Sequence, residues 1–223
     1  MSHQISKQTL KHDEFSESMI TVADFVKRHT TEVLAVAVGA LIIAVGLAFI
    51  AQSRSKSERE ASLMLSSVQG ALFSGQYQQA EQGFNDIVKR YGSTNAAKEA
   101  LVNLGNIGMR QGKFDQALES YSRCVKAGPS NPLIRYGALS GVAACYEQKG
   151  DFAKAADYYS RIAAQLPKEQ FFASQALLAA GRCYANAKLP DKARAAYQQV
   201  LDAYKQSQAS SQAKVELTML SAQ

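Results

Sequence analysis

The chain has 223 residues, 47% of them hydrophobic, and 25 Lys and Arg against 19 Asp and Glu give a formal charge of +6. That apolar content is ample for a folded core and excludes wholesale disorder, while a count of three cysteines excludes a disulfide-stapled mini-domain. His3, His12 and His29 are the only histidines, so everything after residue 29 lacks the side chain most used as general base and metal ligand near neutral pH.

The first predicted element lies in residues 13–29, DEFSESMITVADFVKRH, where Phe15, Met19, Val22 and Val26 form one apolar helical stripe. Acidic residues open this segment and basic ones close it, in keeping with the helix dipole. Its polar face is too acidic for a strong lipid-binding helix, which leaves a short amphipathic lead-in within a tail spanning residues 1–32.

From Val33 to Ala51 the chain reads VLAVAVGALIIAVGLAFIA, with no charge, Pro, Asn or Gln. As a helix this run is about 28 Å long, close to the hydrocarbon thickness of a bilayer. A buried core helix rarely lacks a polar face for so long. For a cleaved signal peptide, the polar stretch before the run is too long and no A-x-A site follows it. The expectation is an uncleaved single span over residues 33–51. Lys7, Lys11, Lys27 and Arg28 precede it and Arg54, Lys56 and Arg59 follow it, so basic charge does not decide the orientation. Within the run, Ala40, Ala44 and Ala48 recur every four residues, a spacing that lets another helix pack closely and that also arises simply because Ala is common in such spans.

Beyond residue 56 the sequence aligns with itself. GQYQQAEQGFNDIVKRYG from Gly75, GKFDQALESYSRCVKAGP from Gly112, GDFAKAADYYSRIAAQLP from Gly150 and KLPDKARAAYQQVLDAYK from Lys188 share one register. In each, an alanine (Ala80, Ala117, Ala155, Ala193) precedes an aromatic by four residues (Phe84, Tyr121, Tyr159, Tyr197). Successive alanines lie 37, 38 and 38 residues apart, the mark of stacked supersecondary units. Gly75, Gly112 and Gly150 suit a tight turn between two helices. The aromatics Tyr77, Phe114 and Phe152 are expected to open the second helix and pack back on the first. The alanine is small because two helices cross there, and the next aromatic fills the gap to the neighbouring unit. Gly105, Ala143 and Gly181 permit close approach from the first helix, and Pro129 and Pro167 end second helices.

These residues resemble the tetratricopeptide repeat: the unit at 98–131 shows Leu104-Gly105, Gly112, Ala117, Tyr121 and Pro129. The match covers about residues 57–206. It departs from the family pattern in lacking the early Trp, in its longer period, and in Lys188, which replaces the turn Gly before Pro190. With the apolar run and a last amphipathic segment, the resemblance gives an expected all-α fold: a single N-terminal transmembrane helix, then an α-solenoid of about four helix pairs over 52–206 and a capping helix over 207–223. In that cap Val215, Leu217 and Leu220 are expected to close the core. No Pro or Gly interrupts 47–69, so the membrane helix is expected to run directly into the first repeat helix. The layout further resembles the ancillary Sec translocon subunit family. That likeness implies a cytosolic N-terminus, a periplasmic repeat domain at the bacterial inner membrane, and partners among translocon components and periplasmic chaperones.

Catalytic chemistry is not assembled by any motif: no phosphate loop follows a strand, and no His-Glu-x-x-His, paired CxxC or Ser-His-Asp set exists. Cys124, Cys145 and Cys183 read as buried free thiols. The chain is therefore expected to be no enzyme, to need no cofactor or metal, and to take no small-molecule substrate. Residues 51–223 carry a net +7, yet their basic residues are spread singly or in pairs, which argues against a nucleic-acid partner. What remains is the concave face of the repeats. Register places Leu65, Gln69 and Leu72 there from the first unit, Val102, Asn106 and Met109 from the second, Ser140 and Glu147 from the third, and Leu178 and Arg182 from the fourth. For Val102 and Leu178, packing between helices is the equal alternative. The expected function is a membrane-anchored interaction scaffold, linking the Sec translocon to periplasmic chaperones. The alternative is an accessory subunit or assembly factor of another membrane complex, held through Ala40, Ala44 and Ala48.

Overall fold

The computed structural model describes residues 26–221. The amphipathic stripe expected at Phe15, Met19 and Val22 lies outside them, and Val26 is exposed. Two compact units divide the chain, residues 1–55 and Lys56–Gln223.

In the first unit the apolar run is helical, forming the opening part of α1 (Thr30–Phe73). At its start the Thr30 hydroxyl donates to the Val26 and Lys27 carbonyls, each at 3.0 Å. Every residue from Ala40 to Ser55 is exposed, including Phe49 at 73%. The segment is long and apolar enough to cross a membrane.

The second unit takes up the rest of α1 and continues through α2 (Tyr77–Arg90), α3 (Asn95–Arg110), α4 (Phe114–Lys126), α5 (Pro132–Gln148), α6 (Phe152–Gln165), α7 (Gln170–Asn186), α8 (Pro190–Ala203) and α9 (Gln208–Ser221). From α2 onward each helix packs on the next, and α3 also meets α5, α5 meets α7, and α7 meets α9. Contact between alternate helices places this set on the closer-packed inner side of a solenoid.

Local chemistry starts and stops these helices. Thr94, Asn131 and Asp151 accept hydrogen bonds from Ala97, Leu133 and Lys154 main-chain N–H groups, and Pro132 and Pro190 open their helices. Glu58 of α1 reaches the start of α3, where its carboxylate accepts from Asn95 N at 2.9 Å and Ala96 N at 3.1 Å. Each first-to-second helix turn closes with the same 6→1 bond: Gln76 N to Ala71 O, Lys113 N to Gly108 O, Asp151 N to Tyr146 O and Leu189 N to Tyr184 O, at 2.8–2.9 Å. That turn needs a left-handed residue. Gly75, Gly112 and Gly150 supply it at φ 73°, 71° and 75°, and Lys188 is driven to φ 59° in the fourth.

The repeat alanines Ala80, Ala117, Ala155 and Ala193 are fully buried. At the α3–α4 crossing, a Cβ on Gly108 would stand 3.1 Å from the Ala117 methyl. The Tyr121 ring is wedged between glycines of two units: a Cβ on Gly105 of α3 would come within 2.5 Å of its Cε1, and one on Gly141 of α5 would also collide with it. Gly181 makes the same room for Tyr197. Tyr121 thus fills the gap between two units as expected. Tyr77 departs from expectation: it is 38% exposed, because the groove beside Phe73 and Met109 leaves its ring partly open. In α9 the buried anchors are Ala209 and Ala213, Leu217 and Leu220 pack partly against the core, and Val215 faces outward at 52% exposure.

Candidate interaction surface

Helices α1, α3, α5 and α7 carry the residues that register assigns to the inner face, and the structure sorts those residues into three groups. Some hold helices together. Leu65 is buried with Phe84 and Ala97 and offers no surface. Val102 packs toward α5, its Cγ1 lying 3.3 Å from where a Gly137 Cβ would stand. The Gln69 amide donates to the Glu99 carboxylate at 2.8 Å, tying α1 to α3. The Ser140 hydroxyl is spent on its own helix, donating to the Tyr136 carbonyl at 2.7 Å.

A second group meets the repeat tyrosines. The Tyr121 hydroxyl donates to Asn106 Oδ1 at 2.7 Å, and one unit later the Tyr159 hydroxyl donates to Glu147 Oε2, also at 2.7 Å. Burial pushes both hydroxyls well above the usual tyrosine range, with the Glu147 carboxylate adding to the effect at Tyr159. Tyr197 is pushed up to about 12, by burial first and then by Glu216, against the pull of Arg182. Sequence reading took these rings as gap fillers and missed their hydroxyls. The signal was present in the switch from Phe84 in the first unit to Tyr in the next three.

The third group lines two grooves. One, of about 650 Å³, is bounded by Leu72, Phe73, Tyr77, Asn106, Ile107, Met109 and Arg110. The other, of about 510 Å³, runs between α7 and α9 and is bounded by Gln175, Leu178, Arg182, Ser211, Gln212, Val215 and Glu216. Leu72, Asn106, Met109, Leu178 and Arg182 therefore border open space, although Leu178 itself is buried. Phe73, Arg110 and Val215 were not foreseen, because their exposure depends on where neighbouring helices stop. In the first unit, Ala40, Ala44 and Ala48 are all exposed along α1.

The cysteines offer no reactive centre. All three are free and buried. Burial raises Cys124 and Cys145 to about 11 and Cys183 to about 12, the last with help from Glu147. Cys124 donates to the Lys98 carbonyl at 3.3 Å, and Cys145 lies 3.4 Å from the Met109 sulfur. Among the described residues no cluster of His, Cys, Asp and Glu is gathered to hold a metal ion.

Open grooves on a stack of helix pairs define a helical-repeat protein of the kind that presents surfaces to other proteins. The chain belongs to the tetratricopeptide repeat-like domain family, whose model matches residues 23–222. Solved structures share the fold. A tetratricopeptide repeat protein from Parabacteroides merdae superposes with a TM-score of 0.59 at 21% identity, over 74% of this chain and 61% of that one. This chain thus spans less than two thirds of that protein's length. BtubC from P. vanneervenii gives 0.55 at 18% identity over 75% and 80% of the two chains, and MamA from Desulfovibrio magneticus RS-1 gives 0.52 at 15% over 73% and 93%. No curated protein matches the sequence.

Proposed function

We propose that this protein is a membrane-anchored interaction scaffold. In this reading residues 33–51 form the anchor, residues 1–32 a cytosolic tail, and the repeats over 52–206 with the cap over 207–223 the displayed domain. The observation that carries the reading is the pairing, in one chain, of an apolar helical run exposed from Ala40 to Ser55 with a repeat unit bearing open grooves. The repeat domain faces the periplasm at the bacterial inner membrane, and its partners are other envelope proteins, with translocon components and periplasmic chaperones as the specific candidates. The concave residues that border the grooves, Leu72, Asn106, Met109, Leu178 and Arg182, are the contacts of this function.

Cross-linking in native membranes, with partners identified by mass spectrometry, tests it. Recovery of translocon or chaperone subunits is expected, and a pattern with neither overturns the translocon part. Protease added from the cytosolic side should spare the repeat domain; its digestion would overturn the periplasmic placement. The second reading is an accessory subunit held through Ala40, Ala44 and Ala48, which are all exposed on α1. It expects bulky replacements at Ala40 and Ala44 to release the protein from its complex while groove substitutions leave it bound.

A further inference from the structure

The groove between α1 and α3 has a chemistry of its own. Phe73 is 88% exposed, and Tyr77 (38%), Leu72 and Met109 surround the same hollow, so the apolar surface is contiguous rather than scattered. The charged side chains nearest it are mostly cationic. Arg110 borders the groove, and Lys113 borders an adjoining groove of about 740 Å³ that shares Tyr77. Neither is in an ion pair among the described residues, and Glu81 is the single carboxylate in the two linings. Asn106 is oriented by Tyr121: its Oδ1 receives the hydroxyl proton, which leaves the Nδ2 donor for a ligand.

We infer that this groove seats a partner segment in which one large apolar side chain is flanked by carboxylates. The apolar side chain lies against Phe73, Tyr77 and Met109, and the carboxylates meet Arg110, Lys113 and the Asn106 amide. Charge complementarity selects this occupant: a basic segment would face two cations, and a purely apolar one would gain nothing from either cation or from the amide. The inference rests on the scaffold reading and names the chemistry of its partner.

The test is fluorescence anisotropy on the full chain in lipid nanodiscs with three labelled ten-residue peptides. One carries a phenylalanine between two aspartates, the second has lysines for the aspartates, and the third has serine for the phenylalanine. The first should bind about 10-fold more tightly than either twin. Arg110→Glu should weaken it by a similar factor and shift preference toward the lysine twin. Phe73→Ser should bring it to the level of the serine twin, and Phe73→Leu should retain most of the binding. Equal binding of all three peptides, or an unchanged preference in Arg110→Glu, overturns the inference. So does a wild-type dimer that Phe73→Ser converts to monomer, since a second copy would then occupy the groove. Cross-links to envelope proteins from the α7–α9 groove, without peptide discrimination, would sink this proposal while leaving the scaffold reading standing.

Discussion

Replacing Gly141 by alanine places one methyl group against the Tyr121 ring, and the ring has nowhere to go. Its opposite contact is Gly105, where an added Cβ would stand only 2.5 Å from Cε1, and its hydroxyl is held to Asn106 at 2.7 Å. Carbon atoms prefer about 3.5–4.0 Å, so ring or helix must shift by roughly 1 Å or more. Overpacking of this kind costs about 2–3 kcal/mol. Alanine's better helix propensity returns about 1 kcal/mol. The net loss is then about 1–2 kcal/mol, a fall in the repeat unit's melting temperature of roughly 2–8 °C. Thermal unfolding of the full chain in detergent, followed by far-ultraviolet circular dichroism, reads this directly. Two controls sharpen it. Gly70→Ala sits in the same type of helix with nothing within 4 Å of the new Cβ, and should be neutral to slightly stabilising. In a Tyr121→Leu background the cost of Gly141→Ala should largely disappear. A Gly141→Ala protein as stable as wild type, or an equal loss in both backgrounds, refutes the wedge.

Three further outcomes follow from the same geometry. Lys188 holds a left-handed backbone at φ 59° where the equivalent residues are glycine, so Lys188→Gly should stabilise by about 1 kcal/mol and Gly112→Lys should destabilise by at least as much, read by the same melts. Glu58→Ala removes two acceptors from the N-terminus of α3 and should cost about 1 kcal/mol, with amide exchange at Asn95 and Ala96 accelerating ahead of the rest of α3. Cys124, Cys145 and Cys183 stand at about 11, 11 and 12 against an ordinary thiol value of 9.0. Their contribution is fully present below pH 9; above it the unfolded thiols ionise first, so stability should fall as pH rises through 9 toward 12. Urea melts across that range should show the slope, and serine at all three positions should reduce it, the remainder above about pH 10 coming from Tyr121, Tyr159 and Tyr197, whose hydroxyls burial also raises.

The repeat architecture was legible from residues alone because the stacking constraint recurs at a fixed interval. Ala80, Ala117, Ala155 and Ala193 must be small where helices cross, and the aromatic four residues on must fill the next gap, so the packing rule is written four times in one register. Lys188 shows how far this carries: register alone assigned it the glycine's place, and it adopts the glycine's conformation. The exposed helix was likewise readable, since an uninterrupted apolar run needs no tertiary partner to declare itself.

Tertiary structure decided which inner-face residues meet open space. Leu65 and Leu72 lie two turns apart on α1, yet one is buried in the cluster that holds Phe84 and the other borders a groove. Gln69 and Asn106 hold the same register position in successive units, yet Gln69 is engaged by Glu99 from the next helix while Asn106 receives the Tyr121 hydroxyl and keeps a donor to offer. Register fixes direction along a helix. Exposure and free hydrogen-bonding capacity depend on where neighbouring helices end and which long side chains reach across, and those are properties of the packed stack, to which no single repeat has access.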